Sequence, residues 1–194
     1  SNRTTLGGWM GRLGFKKMRG KLTGHMALGI ISPGFNVSDL GYSQRTNLIN
    51  AHIVMGYRWL HPTTWYRSIS FNLMTSQNRD FDGNLLFRQV YGTINYMLPN
   101  YYSMGISIQR TPDGLDHYLT RGGPIMSYPG YLSTYVSFNT DQRKNIVLSS
   151  SYNDQTIDDG SFYRSVDLSL LYKPNTSLHL TFSLDRTWVV DDHQ

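Results

Sequence analysis

The chain has 194 residues, enough for one large domain, and its composition excludes several classes of protein. It contains no cysteine, which excludes disulfides and thiolate metal sites, and no apolar run reaches the roughly 18 residues of a membrane helix. The formal net charge is +5, but the basic residues are spread along the chain rather than clustered, so we predict no nucleic-acid partner.

Apolar and polar side chains alternate along about ten segments, a period typical of β-strands with one apolar and one polar face. In chain order these segments lie near 6–17, 22–30, 49–59, 68–73, 89–98, 102–109, 132–138, 146–152, 165–172 and 178–185. All 13 acidic residues are aspartate, which suits turns, and the 14 tyrosines and 18 glycines suit strands and turns. We therefore predict an all-β, antiparallel protein.

The connections between these segments alternate between short turns, such as LPNY and YKPNT, and long loops, such as TPDGLDHYLTRGGP. An up-and-down meander of this kind has all its short turns at one end and all its long loops at the other, as outer-membrane β-barrels do. We predict that residues 1–194 are part of a single transmembrane β-barrel domain. Both chain ends would lie at the loop end, whereas bacterial barrels begin and end at the short-turn end, so we expect the barrel to be incomplete, with strands missing at both ends.

Two environments are open to the apolar face: a protein core, as in a soluble β-sandwich, or lipid. The polar face consists mainly of Ser, Thr, Asn, Gln, Gly and Tyr, and the sequence lacks the glutamates that soluble barrels present to water. Aromatic residues gather at strand ends, as in the aromatic girdles of membrane barrels. These features favour lipid and predict a barrel of the outer-membrane type.

Four arginines share the apolar face, each at the loop end of its strand. They are Arg88, Arg110, Arg164 and Arg186, called here the arginine rim. In three of the four strands a tyrosine lies eight residues away, a rise of about 20 Å in a strand tilted by about 40°. We predict that the arginine rim pairs with the phosphates of membrane lipid, including lipopolysaccharide, because a guanidinium matches phosphate oxygens. The alternative is that these arginines end the strands in water.

Side chains on the polar face are the candidates for contact with a solute in the lumen. They are Tyr91, Tyr131, Tyr135, His52, His179, Asp167 and Asp185. The tyrosine rings are suited to stacking on sugar rings, whereas the histidines favour hydrogen-bonded packing in the lumen. Asp167 and Asp185 lie on neighbouring strands and fit either a general acid/base pair or a packing role, in which they pair with Arg58 or hydrogen-bond other groups of the lumen.

The segment TRGGP in the long loop TPDGLDHYLTRGGP contains Arg121, Gly122 and Gly123. It fits either a loop folded inward as a constriction or a surface loop paired with aspartate, and long loops are where function concentrates. The sequence contains no nucleophile elbow, zincin motif or phosphate-binding loop, so no catalytic residue is assigned. The spacing of the histidines and aspartates predicts no metal site, and we predict no cofactor.

The segments SPGFNVSDLGYSQRTN, NRDFDGN, GLDHYLTRGGP and TDQRKN occur in this order at strand edges. Together they resemble the C-terminal barrel region of the bacterial family called domain of unknown function 5916, and the resemblance covers nearly the whole chain. Members of that family typically place a domain similar to family 9 carbohydrate-binding modules ahead of the barrel. The resemblance implies an outer-membrane protein of a Gram-negative bacterium that handles glycans. It implies no catalytic residues, because the family has none agreed.

The sequence thus predicts a barrel segment with a polar lumen, for passage or surface handling of a hydrophilic solute such as a saccharide. One alternative is an outer-membrane enzyme with a site in the lumen or loops. Another is a non-conducting barrel that anchors a partner, and a third is the soluble β-sandwich.

Overall fold

A computed structural model describes residues 7–35, 46–116, 120 and 124–191 of the chain. Every regular element in these ranges is a β-strand. The strands are β1 (Met10–Lys17), β2 (Leu22–Ile31), β3 (Leu48–Trp59), β4 (Ser68–Arg79), β5 (Leu85–Met97), β6 (Ser103–Thr111), β7 (Gly114–Asp116), β8 (Met126–Tyr128), β9 (Tyr131–Asn139), β10 (Ile146–Ile157), β11 (Phe162–Tyr172) and β12 (Leu180–Val190).

Ten of these strands form one sheet in the order β1-β2-β3-β4-β5-β6-β9-β10-β11-β12. Every neighbouring pair is antiparallel. The predicted all-β meander of ten strands is confirmed, and the sheet is open, with β1 and β12 as its two edges. The short strands β7 and β8 pair only with each other, in the long loop between β6 and β9. The alternation did not reveal them because each has only three residues.

The short-turn end of the sheet is held together by contacts between turns. Tyr101, in the turn between β5 and β6, has a positive φ of 67°. Its ring lies between two guanidinium groups, with the Cζ of Arg67 at 4.0 Å and the Cζ of Arg143 at 3.2 Å from the ring centroid. Asp141 is only 3% exposed and accepts hydrogen bonds from the backbone N, Nε and Nη2 of Arg143 at 3.0, 2.8 and 2.7 Å. Lys173 Nζ, from the turn after β11, donates to the Gln142 carbonyl at 2.6 Å.

On the inner strands of the sheet the apolar face is the more exposed of the two, whereas on the edge strands β1 and β12 both faces are exposed throughout. On β6, the apolar Met104, Ile106 and Ile108 are 46%, 44% and 51% exposed, whereas the intervening polar residues are half-buried. Among the described residues only three hydrophobic side chains are buried, namely Ala27, Leu86 and Val147. The sheet therefore has no conventional core, and its apolar face is uncovered along its length.

Candidate functional site

The polar face of the sheet separates positive from negative charge. In the described strands its basic side chains lie on β1 and β3, where they are Arg12, Lys16 and Arg58. Its acidic side chains are Asp167 on β11 and Asp185 on β12. The five strands between them, β4, β5, β6, β9 and β10, present no charge to this face, and most of their side chains there are Ser, Thr, Asn, Gln and Tyr, with Gly and a few apolar residues such as Phe87.

The three candidate tyrosines lie on this uncharged part of the polar face, in different surroundings. The hydroxyl of Tyr91 donates to Ser107 Oγ at 3.2 Å, and the hydroxyl of Tyr131 accepts from Gln109 Nε2 at 2.8 Å. Tyr135 is 43% exposed, and it lines a polar cavity of about 200 Å³ together with Asp167. Serines, an asparagine and Leu168 from β9, β10 and β11 complete that cavity. Of the three candidate rings, Tyr135 is the most exposed.

Asp167 and Asp185 lie directly opposite each other in the register of β11 and β12. Ser151 Oγ donates to Asp167 Oδ2 at 2.9 Å from the other side. The alternative of ion pairs with Arg58 is wrong, because five strands separate β3 from β11 and no ion pair in the described residues joins them. Arg58 Nε is instead buried with no hydrogen-bond partner among those residues.

The two candidate histidines differ in position. His52 lies on the polar face, with its Nε2 3.1 Å from Nδ1 of His25 on the neighbouring strand, which agrees with hydrogen-bonded packing. His179 does not lie on a strand face, because β12 begins one residue later, at Leu180. The backbone N–H groups of Ser177 and Leu178 both bond to Asn175 Oδ1 at 2.9 Å, which prolongs the turn beyond the point that the alternation predicted. The constriction candidates Arg121, Gly122 and Gly123 lie outside the described residues.

The arginine rim lies on the apolar face, and its members follow a line that slants across the sheet. Arg186 on β12 can be followed across the sheet from each residue to its direct partner on the next strand. This row of paired residues reaches β5 at Ile94, which is six residues beyond Arg88. The line therefore shifts by six residues over five steps between strands, or roughly 20 Å along the strands for roughly 24 Å across them. This is a slant of about 40° to the hydrogen-bonding direction. The tyrosines eight residues away, Tyr96 on β5 and Tyr172 on β11, follow the same direction.

The structure adds Arg79 to this line, at the end of β4. Arg79 pairs with Ile49 on the apolar face, immediately before the tight turn to β5. The sequence assigned Arg79 to a loop because the predicted strand ended at Leu73. The alternation of Leu73, Thr75 and Gln77 is weaker than that of the first residues of β4, but it continues to Arg79 and was the available signal.

The side chains of the arginine rim have three kinds of partner, one of which is aromatic, because Arg186 Cζ lies 4.8 Å from the centroid of the Trp188 ring. Two are compensated by carboxylates: Arg110 forms two bonds of 2.7 Å to Asp158, and Arg164 Nε lies 2.5 Å from Asp154. Arg110 lowers the pKa of Asp158, mainly through these hydrogen bonds. By contrast, Arg88 donates from Nε and Nη2 to the neutral Gln77 Oε1 at 3.1 and 2.9 Å.

A family model described as a domain of unknown function, DUF5916, matches residues 1–192. The chain belongs to the DUF5916 family. The resemblance stated from the sequence is thereby confirmed over nearly the whole chain, while the preceding carbohydrate-binding domain stays a prediction. Comparison of this DUF5916 chain with curated proteins and with solved structures finds no match.

Two further observations describe the DUF5916 chain. No helix in the described ranges is long and apolar enough to cross a membrane. Within the same ranges no three His, Asp or Glu side chains come together in a way that could hold a metal ion.

Proposed function

We propose that this DUF5916 sheet is the wall of an outer-membrane β-barrel in a Gram-negative bacterium. The observation that carries the proposal is the exposure of the apolar face, with only three hydrophobic side chains buried in the described residues. Burying one Val, Leu, Ile, Met or Phe side chain is worth about 1.5–3 kcal/mol. A sheet that leaves such side chains uncovered on strand after strand needs another apolar phase against that face, and lipid supplies one.

The slant of the arginine rim supports a membrane orientation. A transmembrane barrel has strands tilted by roughly 35–45°, so residues at one depth lie on a line with that slant. The arginine rim follows a line of about 40°, and the tyrosines on the same strands lie roughly 20 Å below it. An arginine facing lipid costs about 2–4 kcal/mol at mid-depth but only about 0–1 kcal/mol near the interface. The arginine rim and the tyrosines would then mark the two interfaces of an apolar band.

The edges of the sheet indicate that further strands close the barrel. Unpaired backbone N–H and C=O groups cost several kcal/mol each in hydrocarbon, so open edges are not stable there. β1 and β12 each pair on one side only. We infer that additional strands of the complete gene product pair with both edges, and that the present sheet is part of one barrel domain.

The polar face would line a water-filled lumen that passes or handles a hydrophilic solute. Hydroxyl and amide groups both donate and accept hydrogen bonds, as sugar hydroxyls do, and five adjacent strands offer them without charge. Tyr135 adds an exposed ring beside Asp167 in the polar cavity. A saccharide is therefore the solute class that we propose.

The test uses the complete gene product that contains this chain, purified in detergent and reconstituted in a planar bilayer. Stepwise conductance that an oligosaccharide blocks is the expected result. Recovery of folded protein in buffer without detergent would refute the membrane proposal. A folded, membrane-inserted protein without conductance would refute the open pore and favour an anchoring barrel.

The enzyme alternative rests on the direct pairing of Asp167 with Asp185 across β11 and β12. Like charges directly opposite each other destabilise a sheet, so two adjacent carboxylates call for a compensating role. A hydrolase would lose activity on its saccharide in both Asp167→Asn and Asp185→Asn. A passage channel would keep its conductance in these variants and change only its ion selectivity.

A further inference from the structure

We propose that Arg79 and Arg88 form a binding site for the phosphate of a lipid headgroup on the apolar face of the sheet. The inference rests on the proposed membrane location and names the partner of Arg88, one member of the arginine rim, and of Arg79 beside it. Its occupant is a phosphate-bearing lipid of the outer leaflet rather than free phosphate.

The two arginines lie side by side on neighbouring strands. Arg88 on β5 is directly opposite Gln77 on β4, and it donates both of its hydrogen bonds to Gln77 Oε1. Arg79 is two residues beyond Gln77 on the same face of β4, a distance of roughly 7 Å along the strand. The hydrogen bonds to Gln77 therefore draw the Arg88 guanidinium toward the strand that carries Arg79.

Both guanidinium groups are positioned by neutral acceptors, and neither pairs with a carboxylate among the described residues. Arg79 Nη1 donates to the Gly83 carbonyl at 2.9 Å, across the turn that joins β4 to β5. That turn is rigid, because Asp80 is 1% exposed and accepts from both N and Nδ2 of Asn84 at 2.7 Å. A positioned guanidinium with free N–H groups is suited to phosphate, which it can bind through two parallel hydrogen bonds.

The charge pattern distinguishes this pair from Arg110 and Arg164. Arg186 also has no carboxylate partner among the described residues, but its Cζ lies 4.8 Å from the Trp188 ring centroid, and Arg164 on the neighbouring strand is bonded to Asp154. Arg110 and Arg164 are already bonded to Asp158 and Asp154, so an anion would have to displace a carboxylate from each. Arg79 and Arg88 present two positive charges, and their acceptors among the described residues, the Gly83 carbonyl and Gln77 Oε1, are neutral.

The surface below the pair is suited to an acyl chain, and this favours a lipid over a free anion. Val90 and Ile94 follow Arg88 on the same face of β5, and both are exposed. Between them lies Gly92, where an added Cβ would meet only Leu73 Cδ1, at 4.0 Å. A phosphate at Arg88 would thus stand above a shallow apolar strip that runs toward the short-turn end.

The experiment measures binding of lipid A, a diphosphorylated glycolipid, to the complete gene product in neutral detergent micelles. The test variant is Arg79→Gln with Arg88→Gln, and Arg88→Gln alone provides a second variant in case the double variant does not fold. The matched control is Arg110→Gln with Arg164→Gln, which removes the same charge from the same face. We expect the test variant to lose affinity for lipid A by about tenfold or more and the control by less than about threefold.

Two further probes identify the source of the phosphate. Dephosphorylated lipid A should bind wild type and test variant alike, and inorganic phosphate at millimolar concentration should not displace lipid A. Equal losses in test and control variants, no loss in either, or displacement by inorganic phosphate would each overturn the inference. Outer-membrane fractionation of the same variants is scored separately: a protein absent from that fraction refutes the proposed function, whereas an inserted protein with unchanged lipid binding refutes only this site.

Discussion

Moving an arginine from the rim to the centre of the apolar face provides a direct test of the membrane proposal. Ile106 lies on β6 four residues from Arg110, on the same face, and is 44% exposed. Four residues in a strand tilted by about 40° correspond to a depth of roughly 10 Å below Arg110, near the middle of the apolar band. Ile106→Arg should therefore reduce the free energy of unfolding by about 2–4 kcal/mol.

Two control substitutions separate depth from the mere addition of charge. Leu132, on β9, is directly opposite Arg110 in the register, shares its face, and lies within about one residue of the slanted line of the arginine rim. Leu132→Arg should cost only about 0–1 kcal/mol, because a side chain near the interface can reach water. Ser133, the next residue, lies on the polar face opposite Gln109, and Ser133→Arg should be similarly mild if that face is hydrated.

The assay is reversible unfolding of the complete gene product from lipid vesicles in guanidinium chloride, followed by tryptophan fluorescence. In a water-soluble protein, replacing a side chain as exposed as Ile106 changes stability by only about 0.5 kcal/mol. A neutral Ile106→Arg combined with a strongly destabilising Ser133→Arg would refute the assignment of the two faces, and with it the barrel.

Three other changes have defined outcomes. The hydrogen bonds from Arg143 hold the pKa of Asp141 well below its usual range. The Asp141 carboxylate therefore stabilises the fold at pH values above its unfolded pKa of about 4, and this stabilisation is lost as the pH falls further. Asp141→Asn should make the unfolding midpoint depend less on pH below about 4, and an unchanged pH dependence would contradict this. Tyr135→Ala should weaken oligosaccharide block of conductance about three- to tenfold, the size of one stacking contact, whereas Tyr91→Phe, which keeps its ring, should leave block nearly unchanged. Equal effects would exclude Tyr135 as the stacking ring. Gly160 has a φ of 100°, so Gly160→Ala should cost about 1–2 kcal/mol in unfolding free energy, whereas Gly29→Ala, in open space at an ordinary φ, should cost less than about 1 kcal/mol. A milder effect at Gly160 than at Gly29 would contradict the turn geometry.

Most of the fold could be predicted from the sequence, because the period of a β-strand is local. Alternation located all ten strands of the sheet and assigned Tyr91, Tyr131 and Tyr135 to the polar face, where the register places them. The exact ends of the strands were harder to predict from the sequence. Backbone N–H groups that donate to the Asn175 side chain extend the turn before β12, so β12 begins later than the alternation predicts. β4 continues to Arg79 through residues that are no longer apolar.

The candidate site depended on more than local pattern. Alternation assigned Asp167 and Asp185 to one face, but only the pairing of β11 with β12 places them directly opposite each other and away from Arg58. Likewise, Arg110 and Asp158 are 48 positions apart in the chain and meet because β9 and β10 bring the following loop back beside β6.

By itself, therefore, the sequence determined the ten strands of the large sheet, their two faces and the alternation of turns and loops. Only the tertiary structure decided the slant of the arginine rim, the neutral acceptors of Arg79 and Arg88, and the separation of opposite charges to the two edges. The physical reason is that a strand's faces depend on its own residues, since successive side chains point to opposite sides. The position of a side chain relative to another strand depends on the register, which turn geometry and pairing along the whole ladder set together.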